Sequence, residues 1–341
     1  MGLVVKPYWV DRGTQTSSCV RRSILGSFII LLEFLTLISP IHAENLTLFS
    51  VGSGQVGGGY FAAAKALCET VNRSRAGDLR CSPEATAGSL YNLDALREDQ
   101  LDFALVQSDW QKAAYEGAGR FEASGPMSEL RGVMSLYPET ITLLARPNAG
   151  IEKLSDVLGK RIDVGHPASG RRATVDRLLT AMGLSARDFA QQFELPVSSA
   201  IDALCDDRLD VTVLVSGHPS ELIARALRDC AVLVPFRGPK VDAVLQTSRD
   251  FVSARIPAAA YPELDVDVPS YAVMATLVTR SDMPAEIVEA LVTDNLEDLA
   301  ALTRKTPILA DLNLRDLPTK GMTVPLHPGA EVAYEKFGIS P

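Results

Sequence analysis

Two glycine-rich loops, each with a polar strand end further along the chain, carry the residues with ligand-binding chemistry. The first copy is VGSGQVGGGYFAAAKAL (residues 51–67), with ALREDQLDFALVQSD at 95–109. The second is VGHPASGRRATVDRLL (164–179), with ALCDDRLDVTVLVSG at 203–217. The offsets of 113 and 108 residues match a domain and not a solenoid repeat. Two related lobes that face each other predict a ligand between them.

The chemistry of both loops favours an anion. Glycines let the first backbone approach a ligand closely, and the positive end of the following helix attracts negative charge. In the second loop Ser169 is placed as an N-cap, and Arg171 and Arg172 stand in the first helical turn, where the helix dipole disfavours cations. We therefore expect a negative group nearby and predict that Arg172 clamps a carboxylate. A solvated surface arginine is the alternative.

The predicted cleft residues lie at loop glycines, helix starts and the carboxyl ends of strands, where open α/β sheets bind ligands. They are Ser53, Gly54, Gly57, Tyr60, Thr86, Gly88, Ser89, Gln107, Ser108, Asp109, Tyr137, Ser169, Gly170, Arg171, Arg172, Ser216 and His218. Helix capping by Thr86 and Ser89, and core packing by Tyr60 and Tyr137, are alternatives. No catalytic residue is predicted, because the chain lacks a G-x-S-x-G motif and Ser216 is too close in sequence to His218 to imply a triad.

Alternating strands and helices must position these residues. The pattern predicts strands at 46–51, 79–84, 103–106, 161–164, 211–215 and 231–234, and helices at 59–73, 89–98, 170–182, 200–206 and 219–227. Such alternation predicts an α/β fold with mostly parallel sheets between layers of helices. A strand at 268–279 is predicted to cross back, hinge strands are predicted at 140–145 and 272–279, and a closing helix at 284–302. The predicted divisions are lobe 1 at 44–139, lobe 2 at 140–265, and a return crossing at 266–341 whose C-terminal helix packs on lobe 1.

Residues 1–43 have the pattern of a secretory signal peptide. Arg21 and Arg22 precede an apolar run that reaches Ile38, and Ala43 is a small residue suited to cleavage before Glu44. A membrane anchor is less favoured, because the run is about 15 residues and a span needs about 20. The remaining 298 residues carry 29 basic and 40 acidic side chains, a net charge of −11, so no basic patch indicates nucleic acid.

Four cysteines follow the predicted cleavage site. An even number in an oxidising compartment predicts two disulfides, and four cysteines allow three connectivities. One connectivity, Cys68 with Cys81 and Cys205 with Cys230, keeps each bond within a lobe. Zinc is disfavoured, because no pair has C-x-x-C spacing and the histidines are scattered.

Gly52, Gly54 and Gly57 fit the dinucleotide fingerprint G-x-G-x-x-G, so a nicotinamide-dependent oxidoreductase is an alternative. The predicted export argues against an oxidoreductase, because nicotinamide cofactors are scarce outside the cytoplasm. The ribose-binding acid that such a site needs has only Asp78 or Glu84 as loosely placed candidates. No cofactor is therefore predicted.

The chain resembles the TAXI-family solute-binding proteins of TRAP (tripartite ATP-independent periplasmic) transporters from about residue 46 to 338. The matching strings are VGSGQVGGGYF, CSPEATAGSLYNLDALREDQLDFALVQSDWQ, SLYPETITLLAR, GKRIDVGHPASGRRAT, SGHPS, IPAAAY, ATLVTRSDMP and LHPGAE. The resemblance implies a bilobal type II periplasmic-binding-protein fold with both intralobe cysteine pairs. It also implies a periplasmic protein that closes on a small organic anion, such as a glutamate-like amino acid or another carboxylate. Such a protein presents its ligand to TRAP membrane subunits and contacts the membrane only through that permease.

Carried over by position, the resemblance places Ser53, Gly54 and residues 86–89, 107–109, 169–172 and 216–218 in the cleft. Ala85 and Ala87 stand where family members often have serine and glycine, and residues 62–64 are alanines in a region that often carries proline. The lost hydroxyl groups bear on which ligand fits. An exported sensor that signals to a membrane receptor is a second interpretation, which the neighbouring gene would distinguish.

Overall fold

The structure is a computed structural model that describes residues 46–247 and 251–340. The predicted signal peptide at 1–43 lies outside the described residues. Within the described ranges, no helix combines the length and the apolar character that crossing a membrane requires.

The first half of the fold alternates strands and helices, and its three strands are parallel to one another. Its elements are β1 (Thr47–Gly52), α1 (Gly59–Ser74), β2 (Leu79–Glu84), α2 (Ser89–Arg97), β3 (Phe103–Gln107) and α3 (Ser108–Glu116). Strand β1 pairs with both β2 and β3. All five residues of β3 are buried, as expected for a parallel strand that helices cover on both faces.

A 16-residue strand, β4 (Leu130–Ala145), carries the chain into the second half. The elements that follow are β5 (Arg161–Asp163), α4 (Gly170–Ala181), β6 (Gln191–Phe193), α5 (Val197–Cys205), β7 (Val211–Ser216), α6 (Glu221–Asp229), β8 (Val232–Val234), α7 (Pro239–Thr247) and β9 (Val252–Ile256). Strand β5 is parallel to both β6 and β7. The order β6-β5-β7 therefore repeats the order β2-β1-β3 of the first half.

Strand β10 (Val268–Arg280) returns the chain and pairs antiparallel with β3, β4 and β9. The chain then forms α8 (Ala285–Glu297), α9 (Leu299–Lys305) and α10 (Pro328–Lys336). The sheet order is β2-β1-β3-β10-β4-β7-β5-β6, with β8 beside β4 and β9 beside β10. The predicted α/β fold class is confirmed. The two expected sheets are continuous, because β4 pairs with β10 over most of its length and with β7 from Thr140 to Ala145.

Helices cover both faces of the sheet in each half. In the first half α1, α8 and α10 pack on the face that carries Phe103 and Leu105, and α2 and α3 pack on the face of Ala104 and Val106. In the second half α4 lies on one face and α5 and α6 on the other. Disulfides join Cys68 to Cys81 and Cys205 to Cys230, which confirms the pairing within each lobe.

The structure differs from the predicted elements at several places. Helices α3, α7 and α10 and strands β6 and β9 were not predicted, and the helix predicted at 284–302 is divided at Asp298. The placement of Ser108 and Asp109 at a strand end was wrong. Strand β3 ends at Gln107 and α3 begins at the next residue, so both side chains belong to a first helical turn.

Candidate functional site

A cavity of about 110 Å³ lies where α1, α2 and α4 begin, beyond the carboxyl ends of β3 and β7. Helix N-termini leave backbone N–H groups without intrahelical partners, and their dipoles favour a negative ligand group there. Predicted residues that line the cavity are Gly54, Tyr60, Gly88, Ser89, Gln107, Ser169, Gly170, Arg171 and Ser216. The repeated glycine-rich loops therefore meet at one cavity.

Glu139 of strand β4 forms part of the cavity wall and is 6% exposed. Tyr60 donates a hydrogen bond of 2.7 Å from its hydroxyl group to Glu139 Oε2, and its oxygen lies 3.3 Å from Ser89 Oγ. Burial raises the pKa of Glu139 to about 8, although the hydrogen bond from Tyr60 favours the ionised form. Glu139 was missed at the level of sequence. The available signal was a carboxylate inside the largely apolar strand segment SLYPETITLLA.

Arg171, at the start of α4, also lines the cavity. Its Nη2 group pairs with Asp163 and donates a bond of 3.1 Å to the carbonyl oxygen of Leu195. Asp163 is fully buried and also accepts bonds of 2.8 Å from Thr212 Oγ1 and from the backbone N–H of Leu195. Among the described residues, nothing accepts a hydrogen bond from Arg171 Nη1, which is buried at the cavity. The arginine thus offers one unused donor, and its charge is balanced by Asp163.

The two halves contact each other through several residues near the cavity. Gln55 Oε1, in the first loop, accepts a bond of 3.1 Å from the backbone N–H of Val197. Beside the cavity, Trp110 Nε1 donates to Thr174 Oγ1 at 3.2 Å. Gly170 packs so tightly that an added Cβ would lie 2.1 Å from Gln107 Oε1. The structure therefore has the two halves closed on each other.

Three predicted residues do not line the cavity but support its shape. Two lie in the first glycine-rich loop, and the third lies in the loop between β2 and α2. Ser53 is fully buried, and its hydroxyl group donates to the carbonyl oxygen of Glu84 at 2.6 Å. Thr86 Oγ1 lies 2.7 Å from Asn92 Oδ1 and accepts from the N–H of Gly88. Gly57 has a φ of +85°, which favours glycine at this turn. These residues shape the loop.

The two predicted residues at the start of α3 also lie outside the cavity lining. Ser108 Oγ accepts a bond of 3.0 Å from the backbone N–H of Met274 and so ties α3 to β10. Asp109 is 2% exposed and reaches α4, where Thr174 Oγ1 lies 3.3 Å and Arg177 Nη2 lies 3.2 Å from its Oδ2 atom. Asp109 thus links the two halves beside the cavity.

His218 and Tyr137 lie beside a second, smaller pocket of about 90 Å³. His218 bonds to Tyr261 at 2.6 Å and to Thr142 at 3.0 Å, and burial lowers its pKa to about 4. Tyr137 is buried beneath the start of α1, where its hydroxyl oxygen is 2.9 Å from the position of an added Cβ on Gly59. Neither residue lines the cavity between the helix starts.

Arg172, the predicted carboxylate clamp, is held by acidic residues of its own half. Its Nε group donates to Asp176 at 2.7 Å, and Nη1 pairs with Glu194. One turn of the α-helix is 3.6 residues, so consecutive side chains point about 100° apart. Arg171 therefore points to the cavity while Arg172 points away from it. Among the described residues, no group of three or more potential metal ligands occurs.

Comparisons with known proteins give one family and several distant structures. The model of the NMT1-like family matches residues 51–338. The effector-binding domain of QuiR in complex with shikimate is 10% identical, with 74% of this chain and 97% of that chain covered at a TM-score of 0.48. The periplasmic aliphatic sulphonate-binding protein SsuA from Escherichia coli is 13% identical, with 85% and 82% covered at 0.45. The alkanesulfonate-binding protein SsuA from Xanthomonas axonopodis pv. citri bound to MOPS is 13% identical, with 84% and 83% covered at 0.45.

Proposed function

The chain belongs to the NMT1-like family, and we propose that it is a periplasmic solute-binding protein that captures a small organic acid. Its sequence motifs, which resemble those of the TAXI family, extend the proposal to delivery of the ligand to a TRAP membrane permease. The ligand class is a carboxylate, including glutamate-like amino acids. The observation that carries this proposal is the cavity between helix starts of both halves.

The cavity suits binding by closure. Contacts such as Gln55 with Val197 and Trp110 with Thr174 form only when the two halves meet. A ligand drives such closure when it contacts both walls, because it then binds the closed form more tightly than the open form. Strands β4 and β10 run through both halves and are the proposed hinges.

The size of the cavity argues against the oxidoreductase alternative. One water-sized group needs at least roughly 10–15 Å³ in this measure of volume, so about 110 Å³ holds at most roughly seven to eleven such groups. A dinucleotide has several times as many atoms. The G-x-G-x-x-G string is accordingly assigned to the close approach of a small ligand to the loop backbone.

A thermal-shift screen tests the proposal. The exported protein is unfolded and refolded to remove ligand carried over from the host, then mixed with amino acids, dicarboxylates, keto acids and nicotinamide cofactors. A ligand at 100 times its dissociation constant stabilises by about 2.7 kcal/mol, which raises the melting temperature by several degrees. We expect a shift with a small carboxylate. No shift with any of them, or a shift with a dinucleotide alone, would overturn the proposal.

Transport is tested separately from binding. If a multi-spanning permease is encoded beside the gene, it is expressed with and without this protein, and uptake of the radiolabelled ligand from the screen is measured. Uptake that requires the protein supports delivery to a permease. Normal binding together with uptake that does not depend on the protein would favour the sensor interpretation.

A further inference from the structure

A pocket of about 240 Å³ lies in the second half of the molecule, and it shares no lining residue with the cavity between the helix starts. It is bordered by the segment 153–158, by the residues that follow α4 and by the start of α7. Helix α4 has 12 residues and begins at the cavity, while Met182 at its C-terminal end lines the pocket. At 1.5 Å per residue, the helix separates the two sites by about 18 Å.

The walls of this pocket are largely apolar. Leu154, Met182 and Val241 are buried and belong to the hydrophobic core of the second half. Leu184 packs against the same core, and Leu158 is 48% exposed at the pocket. Apolar walls offer few of the hydrogen bonds that a water molecule needs, so apolar cavities of this size stay dry and take apolar guests. The pocket therefore suits a hydrocarbon group.

The ionisable side chains that line the pocket are all basic, although the chain as a whole is acidic. They are Lys153, Arg237 and Lys240. Arg237 lies 3.7 Å from Asp242 and donates a bond of 2.6 Å to Tyr271 Oη, so its charge is partly balanced. Within the part of the chain that the structure describes, no ion pair includes Lys153 or Lys240. The pocket therefore combines apolar walls with two ammonium groups that lack a paired anion.

Two acidic residues near these lysines are bonded to backbone N–H groups of their own turns. Asp156 accepts two such bonds, each of 3.1 Å. Asp188 accepts one of 2.7 Å from Ser185. Hydrogen bonds from Ser185, and more weakly the charge of Lys240, lower the pKa of Asp188. Neither acidic residue lines the pocket, so the lysines remain available to an anionic group of a ligand.

We propose that this pocket binds a free medium-chain alkyl carboxylate, with the hydrocarbon chain against the apolar walls and the carboxylate paired with Lys153 and Lys240. At a minimum of roughly 10–15 Å³ for each water-sized group, about 240 Å³ holds at most roughly 16 to 24 such groups. One acyl chain of about 8–12 carbons fits this volume, whereas the two long chains of a phospholipid exceed it. The inference goes beyond the proposed function and does not depend on it, because the two sites share no lining residue.

The test is isothermal titration calorimetry of the exported, ligand-stripped protein with hexanoate, octanoate and decanoate, each below its micellar concentration. Affinity should rise roughly three- to fourfold per methylene group, because each added group is buried against the apolar walls. Decyltrimethylammonium has a similar chain and a positive head group, so it should bind at least about tenfold more weakly than decanoate. Affinity that does not depend on chain length, or equal binding of the two head groups, would overturn the inference.

Photolabelling locates the site on the unaltered protein, so the result does not depend on whether a variant folds. A decanoate that carries a diazirine near the end of its chain is irradiated with the protein, and the labelled peptides are identified by mass spectrometry. We expect label within 153–158, 182–184 or 237–241. Label confined to 54–60 or 166–171 would place the chain in the cavity between the helix starts and would overturn the inference. Binding to anionic vesicles without binding of monomeric decanoate would overturn it as well.

A double variant tests the role of the lysines. Lys153→Gln with Lys240→Gln removes both unpaired charges, and Lys65→Gln with Lys305→Gln makes the same change at exposed positions of the first half. The first pair should weaken decanoate binding roughly 3- to 10-fold without weakening decyltrimethylammonium, and the control pair should change neither. Unchanged decanoate affinity in the first pair would contradict the proposal. Binding of the small carboxylate from the thermal-shift screen should be the same in all these variants, so the inference and the proposed function can fail separately.

Discussion

The two glycine-rich loops have the same position in their halves but opposite chemistry. Helix α1 begins after Gly58 with no side-chain cap and no acidic residue in its first turn, so it offers backbone N–H groups alone. Helix α4 begins after Ser169, whose hydroxyl oxygen accepts from the N–H of Arg172, and its first turn carries two arginines. Both loops thus lead from a strand to a helix start at the cavity, while the charged groups at the cavity come from the second copy and from strand β4.

The largest expected difference between the halves concerns the residue before each loop. Val51 corresponds to Val164, so Ser50 corresponds to Asp163. Asp163 is buried with Arg171, and Asp163→Ala leaves a buried cation without its partner, which should lower the free energy of unfolding by about 3–5 kcal/mol. Ser50→Ala should cost about 1 kcal/mol. Urea denaturation measures both, and equal losses would contradict the assignment of charge to one half.

For the disulfides we expect the opposite outcome, because losing either one should lower the free energy of unfolding by nearly the same amount. Cys68 and Cys81 close a loop of 13 residues, and Cys205 and Cys230 close one of 25. The chain-entropy relation gives about 3 and 3.5 kcal/mol for loops of these lengths. Replacing each pair with alanines should therefore lower the free energy of unfolding by similar amounts in urea titrations. A loss confined to one pair would show that one half alone limits the stability of the protein.

Substitutions at two glycines, Gly170 and Gly57, should separate an effect on closure from an effect on the stability of the protein. At Gly170 an added Cβ would lie 2.1 Å from Gln107 Oε1 and 2.6 Å from Ser89 Oγ, so Gly170→Ala should hinder closure and weaken ligand binding at least tenfold. Its stability should not fall, because alanine is the better helix former. Gly57→Ala meets nothing within 4 Å but strains a φ of +85°, so it should lower stability by about 1–2 kcal/mol and leave affinity within twofold. Calorimetry with the ligand from the screen and urea denaturation separate the two effects, and the reverse pattern would refute this assignment.

Periodicity and loop composition predicted most of the strands and helices that position the cavity, and the even cysteine count together with the family resemblance predicted both disulfides. They did not predict α3, because its first turn follows the last residue of β3 directly, with no loop between the strand and the helix. They also missed Glu139. Its role depends on the order of the strands in the sheet, which places the middle of a hinge strand beneath the starts of three helices. Local sequence does not contain that order, so a carboxylate in a hinge strand has no local signal of its contacts.

Local sequence also does not show which of the neighbouring arginines, Arg171 or Arg172, faces the ligand. Replacing Arg172 has the smallest expected effect on stability and affinity. Arg172 bonds to Asp176 and Glu194 at the partly exposed edge of α4, so Arg172→Ala should change stability by less than about 1 kcal/mol and affinity by less than about twofold. Arg171→Lys keeps the charge beside Asp163 but removes the planar fork that carries Nη1, so it should weaken binding about tenfold. Calorimetry on both variants decides between them. If Arg172→Ala instead loses the roughly 1–3 kcal/mol of a charged hydrogen bond, the carboxylate lies on Arg172 and the second loop contributes its outer face to the site.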